Sequence, residues 1–387
     1  MFLNTLPCCS YILLAALAGV TTTTARPHSL FTDNPTVLSR SNSAVQQIHI
    51  ATVNVKNSNI AKQTASDYIW GEKSWDDRKT RLVDALLSTG PLDIWGAQEV
   101  LSAQLSDLAW LFGSDYGHVG VGRDDGKEAG EFSPIFYNST KFDVVRWNTT
   151  WLSTTPDVPG SVGWDASLTR IATLLTLRYR DGDQEGKLVH AFNTHYDDQG
   201  VEARANSSLL LRATIKQWVD DVEQAENAGG DAPVVFFGDF NSPPEEDGYQ
   251  NMVSLSPLPS GNASLSFLDT YTHLLTSTSN SSLSSTYGPL QTRPYGPAHT
   301  YTGFEAPGYN MTKRIDFILL GAEPEEAQQG GGWGARGGWE VSRFAVVENY
   351  VEGDVDGFNA RWSDHRAVRA TIAKQTTVVL DLGKDGT

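Results

Sequence analysis

Four short polar phrases stand far apart in the 387-residue chain: Gln98-Glu99, Asn193-Thr194-His195, Gly238-Asp239-Phe240-Asn241 and Ser363-Asp364-His365. Each ends a run of β-forming residues. A fold that aligns those strand ends gathers two histidines, two asparagines and several carboxylates into one pocket. Converging oxygen ligands and imidazoles suit a hard divalent cation and a phosphate ester. Taken singly, Asn193-Thr194-His195 and Gly238-Asp239-Phe240-Asn241 read as ordinary turns, because Asn, Asp and Pro all favour turns, and Ser363-Asp364-His365 reads as the start of a strand after a polar loop. Their joint presence in this order carries the chemical reading.

The elements that must position these phrases follow from apolar periodicity. Residues 48–55 alternate, with apolar side chains at 48, 50, 53 and 55, and read as the first buried strand. Residues 75–88 read as a helix with Ser74 as N-cap and Asp76 and Asp77 in its first turn, where the helix dipole favours them. A strand at 93–98 and a second helix at 101–112 follow, then strands at 134–137, 142–147, 171–179, 188–194 and 234–238. Leu211, Ile215, Trp218 and Val222 recur at helical spacing and place one long helix at about 201–225. The Ser-, Thr-, Pro- and Asn-rich stretch 251–300 reads as loop and turns. A strand at 315–320 leads into a glycine-rich insertion, 321–338, read as a flexible loop, and strands at 344–350 and 367–372 finish the series. Strands and helices without strict alternation favour two packed sheets flanked by helices over a doubly wound parallel sheet.

Composition sets the outer limits. A hydrophobic content of 40% with 10% aromatics is ample for a large core. Residues 1–25 carry no charged side chain and hold a short apolar run, 11–20, followed by Thr, Ala and Ser, as cleavable signal peptides do. Cys8 and Cys9 both fall in that segment, so the mature chain is expected to have no disulfide. Sequons begin at Asn138, Asn148, Asn206, Asn262, Asn280 and Asn310, consistent with a secreted glycoprotein. No second stretch is apolar enough to span a bilayer, so no stable membrane insertion is expected, and no obligate protein partner is evident. Residues 26–46 and 374–387 read as tails around one domain at 47–373. The net charge of −17 argues against tight unspecific binding of nucleic acid, which depends on Lys and Arg displacing counterions.

The set Thr52-Val53-Asn54-Val55, Gln98-Glu99, Asn193-Thr194-His195, Gly238-Asp239-Phe240-Asn241, Arg314-Ile315-Asp316-Phe317-Ile318 and Ser363-Asp364-His365 resembles the endonuclease/exonuclease/phosphatase superfamily. The stretches 119–126 and 151–156 resemble a microbial branch near its deadenylase-like members. The resemblance covers about 47–373 and implies an α/β, four-layer sandwich of two packed mixed β-sheets flanked by helices. It also implies a metal-dependent hydrolase of phosphate esters. Two subfamily marks are missing: Lys56 stands where abasic-site endonucleases carry an acidic residue, and Arg-Ile-Asp-Phe replaces the Cys-Asp-Arg signature of inositol phosphatases.

By this resemblance Glu99, Asn54 and Asp364 ligate Mg²⁺ or Mn²⁺. Asp239 accepts a proton from the attacking water, and Asn241 holds that water or a phosphoryl oxygen. His365 hydrogen-bonds the scissile phosphate with Asp316 orienting its ring and favouring the imidazolium, and His195 is a second phosphate contact that assists the leaving group. The resemblance leaves the formal general base open. Arg123 and Arg170 are candidate substrate-binding residues, with Glu131 beside them, and Trp75, Trp151 and Trp164 are candidate stacking faces for a base.

The preferred expectation is a secreted phosphodiesterase acting on nucleic acid or nucleotides. A phospholipid (sphingomyelinase-like) or small phosphomonoester hydrolase is the alternative that the acidic surface favours. A non-catalytic binding module on the same scaffold is the third, and filled acidic and histidine positions count against it.

Overall fold

The computed structural model describes residues 43–59, 71–258, 265–277, 293–324, 333–353 and 357–377. The expected signal peptide, the sequons at Asn262 and Asn280, and most of both expected tails lie outside the described residues. In chain order the first elements are β1 (Ser43–Asn54), α1 (Trp75–Ser88), β2 (Ile94–Gln98), α2 (Ser102–Phe112), β3 (Tyr116–Val119), β4 (Ile135–Asn138) and β5 (Phe142–Trp151). They are followed by β6 (Ile171–Tyr179), β7 (Leu188–His195), α3 (Val201–Glu226), β8 (Val234–Asp239), α4 (Asp247–Val253), β9 (Ser266–Asp269) and α5 (Thr270–Ser277). The last are β10 (Asp316–Pro324), β11 (Trp333–Ala335), β12 (Glu340–Val347), β13 (Tyr350–Val351), β14 (Ala360–Arg361) and β15 (Ala367–Thr377).

Two large mixed sheets form the body. One runs β12-β15-β1-β2-β4-β3, and the other β11-β10-β8-β7-β6-β5 with β9 also paired to β10. Each holds one parallel pair, β1 with β2 and β7 with β8, among antiparallel neighbours. Alternation explains why both faces of these strands are apolar. In β1, Ile48 and Ile50 join the core between the sheets while Ala51 and Val53 face outward. In β8, Val235 and Phe237 point inward while Val234 and Phe236 meet α3 residues such as Leu211, Ile215 and Trp218. On the other side Leu82, Val83 and Leu86 of α1 and Leu108 of α2 cover Trp95 and Val53. The result is helix, sheet, sheet, helix. Phe237 and Ile318 are fully buried in the central layer, each contributing roughly 1.5–3 kcal/mol of transfer free energy.

Several local expectations hold and several are corrected. Ser74 caps α1 as its sequence implies, its Oγ accepting from Asp77 N at 3.3 Å. The stretch 251–300 is not all loop: α4 ends in it, and β9 and α5 lie within it, short elements whose Ser- and Thr-rich composition conceals their buried positions. The strand β3 was not anticipated. The expected flexible insertion is partly sheet, because β10 runs on to Pro324 and β11 pairs back on it, Ala322 opposite Ala335. Arg336 just beyond is buried against Glu223, which anchors the insertion's end; residues 325–332 lie outside the described residues. In the middle of the first sheet β1 pairs with β15 from Ser43 opposite Thr377, so the ladder continues into both expected tails.

Candidate active site

Parallel pairing brings the ends of β1 and β2 to one edge and those of β7 and β8 to the facing edge. Asn54 lies opposite Gln98 and His195 opposite Asp239, while antiparallel β10 starts there with Asp316 opposite Asp239. The inward-facing series of each strand continues into polar side chains at this edge: 48, 50, 52, 54 in β1, 191, 193, 195 in β7, 235, 237, 239 in β8 and 320, 318, 316 in β10. The period of two that fills the core with apolar residues thus aims Asn54, His195, Asp239 and Asp316 into one gap between the sheets. Gly96 permits the close approach, since a Cβ there would stand 2.4 Å from the Phe237 ring. Across that contact Gln98 Nε2 donates to Asn193 Oδ1 at 2.7 Å, joining the two sheets.

At the β1–β2 end, Glu99 leaves its strand with a left-handed φ of 59°, as does Lys56, and Asn241 has φ 47°. Three of the five non-glycine residues with positive φ among those described therefore line this site, strain of about 1–3 kcal/mol each that surrounding bonds must hold. Glu99 Oε1 accepts from Asn54 Nδ2 at 2.9 Å, and Oε2 from Lys56 Nζ at 3.1 Å, Asn57 N at 3.2 Å and Asn57 Nδ2 at 3.0 Å. Burial works against its charge, but the Lys56 ammonium holds its carboxyl well below the usual range. Asp364 is buried nearby, and burial, with Glu99 as a like-charged neighbour, pushes its affinity for a proton up. Ser363 Oγ donates to Asn54 O at 2.6 Å, tying the two segments together.

Across the gap, His365 Nδ1 lies 2.8 Å from Asp316 Oδ2, and its Nε2 lies 3.6 Å from Asp239 Oδ2. Burial opposes a charge on this ring, yet Asp316 and Asp239 outweigh it and raise the pKa to about 10. Asp239 is raised to about 7, by burial first and then by Asp316. Its Oδ2 accepts from Asn54 Nδ2 at 3.0 Å and its Oδ1 from Asn241 N at 2.9 Å. His195 Nε2 lies 3.6 Å from the same Asp239 oxygen, but burial and then Arg170 drive its pKa well below the ordinary value, so it is neutral. One imidazolium and one neutral imidazole flank one carboxylate.

Ligand-capable atoms of Asp239, Asp316 and His365 lie within 4.8 Å of one another. The 2.8 Å contact of His365 Nδ1 with Asp316 Oδ2 makes this trio a histidine–carboxylate pair beside Asp239. The Glu99 side is the better seat for a cation. There the Lys56 ammonium already sits against the carboxylate, and carboxylate and amide oxygens are the donors that hard cations take. Asp316 Oδ1 is buried with no hydrogen-bond partner among the described residues.

All ten residues expected from the sequence are buried or partly buried around this gap or in its wall. Arg123 donates to Glu131 Oε2 at 2.7 Å, and Arg170 to Asp197 Oδ2 at 3.3 Å and Asp198 Oδ1 at 2.8 Å. Their guanidinium groups are thus engaged with acids of the wall. Two expected stacking faces are corrected: Trp75 and Trp151 are buried, their Nε1 atoms donating to Asp107 Oδ2 and Arg123 O, and only Trp164 is half-buried. Two positioning residues carry no motif that would have revealed them. Asp197 ties Arg170 to the start of α3. Arg78, fully buried on α1, donates to Val55 O, Lys56 O and Trp362 O at 2.8, 3.2 and 2.9 Å, clamping the Asn54 and Ser363 segments.

Two stacked mixed sheets with acids, amides and imidazoles gathered at their common edge define a phosphoesterase-type fold. The chain belongs to the Endonuclease/Exonuclease/phosphatase family, whose sequence profile matches residues 52–365. Among solved structures, it is similar to a family protein of Bacteroides vulgatus at 27% identity and TM-score 0.62, covering 86% of this chain and 100% of that one. It is likewise similar to one from Bacteroides thetaiotaomicron at 26% identity and TM-score 0.62, over 86% of this chain and 96% of that one. A mannosyl-6-phosphatase of Bacteroides thetaiotaomicron matches at 26% identity and TM-score 0.60, over 84% of this chain and 99% of that chain. No curated protein matches the chain at a significant level.

Proposed function

We propose that this chain is a divalent-cation-assisted hydrolase of small phosphate esters, phosphomonoesters first. The observation that carries the reading is the Asp316–His365 pair facing Asp239, with neutral His195 on the other side and Glu99 across the gap. Asp239, with a pKa near 7, takes the proton of the attacking water. Asn241, two residues on and with its side chain beside His195, orients that water. His365, kept charged by Asp316, meets the negative charge that grows on the phosphoryl oxygens. Glu99, Asn54 and Asp364 would hold Mg²⁺ or Mn²⁺, which supplies further neutralisation of phosphoryl charge when bound.

Three facts favour a small substrate over nucleic acid: the net charge of −17, the burial of Trp75 and Trp151, and the named activity of the mannosyl-6-phosphatase relative. Nucleic-acid or nucleotide phosphodiesters are the second reading, supported by half-buried Trp164 in the segment leading to Arg170. The proposal also takes residues 1–25 as a signal peptide and the product as secreted. Protein recovered from culture medium should then begin close to Arg26.

A panel of sugar phosphates, inositol phosphates, sphingomyelin, single-stranded RNA and DNA, and duplex DNA tests the assignment, each with Mg²⁺ or Mn²⁺ and a chelator control. Release of inorganic phosphate from a monoester is expected. Cleavage of nucleic acid with no phosphate release from any monoester would instead establish the second reading.

A further inference from the structure

We infer that His195 is locked as a neutral imidazole with its proton on Nε2, a hydrogen-bond donor into the pocket, and that Asp197, acting through Arg170, is the residue that locks it. The inference rests on the phosphoester reading only for the identity of the oxygen that receives the bond.

Two donors face this ring. Arg170 Nη1 lies 3.3 Å from His195 Nδ1, and Asn241 Nδ2 lies 3.1 Å from His195 Nε2. A neutral imidazole carries one proton and so can accept at only one nitrogen. A guanidinium has no acceptor at all, so a proton on Nδ1 would face Arg170 head-on. Asn241 is the weaker of the two donors: it is a neutral amide, and one of its hydrogens is committed to Tyr196 O at 3.0 Å. The less costly arrangement keeps the lone pair on Nδ1 for the charged donor and puts the hydrogen on Nε2, beside the neutral amide. That hydrogen faces the pocket, where Asp239 Oδ2 at 3.6 Å is a neighbouring acceptor. A histidine so held cannot take a proton at Nε2, so its part is to donate to a substrate oxygen, not to act as base.

Arg170 can do this only if it cannot turn away. Asp197, 2% exposed, accepts from Arg170 Nε at 3.3 Å through Oδ2. The same carboxylate accepts from Leu168 N at 3.2 Å, Gln199 N at 3.0 Å and Gly200 N at 2.8 Å, so it is itself fixed to both flanking segments. Asp198 Oδ1 at 2.8 Å holds the remaining arm of the guanidinium. The competitor is Glu131, whose Oε2 stands 4.0 Å from His195 Nδ1 and is engaged by Arg123 at 2.7 Å. A Glu131–His195 dyad would need the opposite tautomer, with the proton on Nδ1.

Nitrogen-15 NMR of the full chain labelled at histidine decides between them, with the His195 signals assigned by their absence in His195→Gln. At neutral pH the expected spectrum has Nδ1 as the unprotonated nitrogen and Nε2 as the protonated one, unchanged in Glu131→Gln. In Asp197→Asn the two tautomers should mix, and kcat on the ester found by the panel should fall on the order of tenfold with KM little changed. A wild-type Nδ1 that carries the proton, and loses it in Glu131→Gln, would overturn the inference. An unchanged tautomer and unchanged kcat in folded Asp197→Asn would overturn the role given to Asp197. If that variant does not fold, the wild-type and Glu131→Gln spectra still decide the tautomer. An inert ester panel counts against the functional reading and leaves the spectrum unmoved.

Discussion

Asp239 stands at the meeting point of the site: it touches Asn54 and the Asn241 backbone and lies 3.6 Å from both His195 and His365. Asp239→Asn keeps the shape and removes the proton acceptor. Turnover should fall at least about a hundredfold, the usual contribution of general base catalysis, while circular dichroism and the melting temperature stay near those of the parent. His365→Ala should cost at least about as much, since it removes the one imidazolium aimed at the reacting phosphate. Near-normal rates in both folded variants would take the pocket out of consideration. These residues were legible in the sequence, Asp239 in the phrase that closes β8 and His365 in the phrase that leads into β15. Asp197 and Arg78 were not, because nothing local distinguishes a buried acid or arginine that bonds distant backbone from one facing solvent.

Arg78 shows how an element holds the site. From one turn of α1 it donates to three carbonyls, on Val55, Lys56 and Trp362; Lys56 O has a second donor in Gln104 Nε2, so Val55 O and Trp362 O depend on it most. Arg78→Leu should destabilise the protein by about 3 kcal/mol or more, measured by urea unfolding, since each orphaned buried acceptor costs roughly 1–3 kcal/mol. At the sheet interface, Gly96→Val should cost about 1–3 kcal/mol by driving a side chain into Phe237 and Asn193. A Gly96→Val protein as stable as the parent would mean that the sheets part more easily than their packing implies. Periodicity exposed the long strands and α1, α2 and α3, because their buried faces repeat at 2.0 or 3.6 residues. It failed for β3, β9 and α5, which are too short to show a repeat, and for β11, whose glycine-rich surroundings read as loop until Arg336 is seen buried against Glu223.

Among the described residues the molecule carries three apolar layers, one between the sheets and one beneath the helices on each side. Its acid tolerance is set partly far from the catalytic edge. Glu223, His190 and Arg336 form a buried cluster. Burial opposes the Glu223 charge, but His190 and Arg336 overcome it and lower the pKa from 4.5 to about 2. Burial lowers the His190 pKa below 6.5. In both cases the unfolded chain binds the proton more readily, so stability is full above the unfolded pKa and is lost as pH falls toward the folded one. Stability should decline first below about 6.5 and again between about 4.5 and 2, the Glu223 part amounting to about 3 kcal/mol. Glu223→Gln should flatten the lower limb in pH-dependent thermal melts; an equally steep limb would place the acid sensitivity elsewhere. The net charge of −17 bears on substrate choice at the same scale. Long nucleic acid should bind weakly at physiological salt, and a tight complex with duplex DNA would contradict the small-substrate reading.

The most direct test of the central claim is phosphate release from the best ester of the panel, followed across a titration of Mg²⁺ or Mn²⁺ for the parent and for Asp239→Asn. The account predicts activity that rises with the cation, vanishes with chelator, and is lost in the variant although it remains folded. Full activity in chelator, or a folded Asp239→Asn protein as fast as the parent, would contradict it.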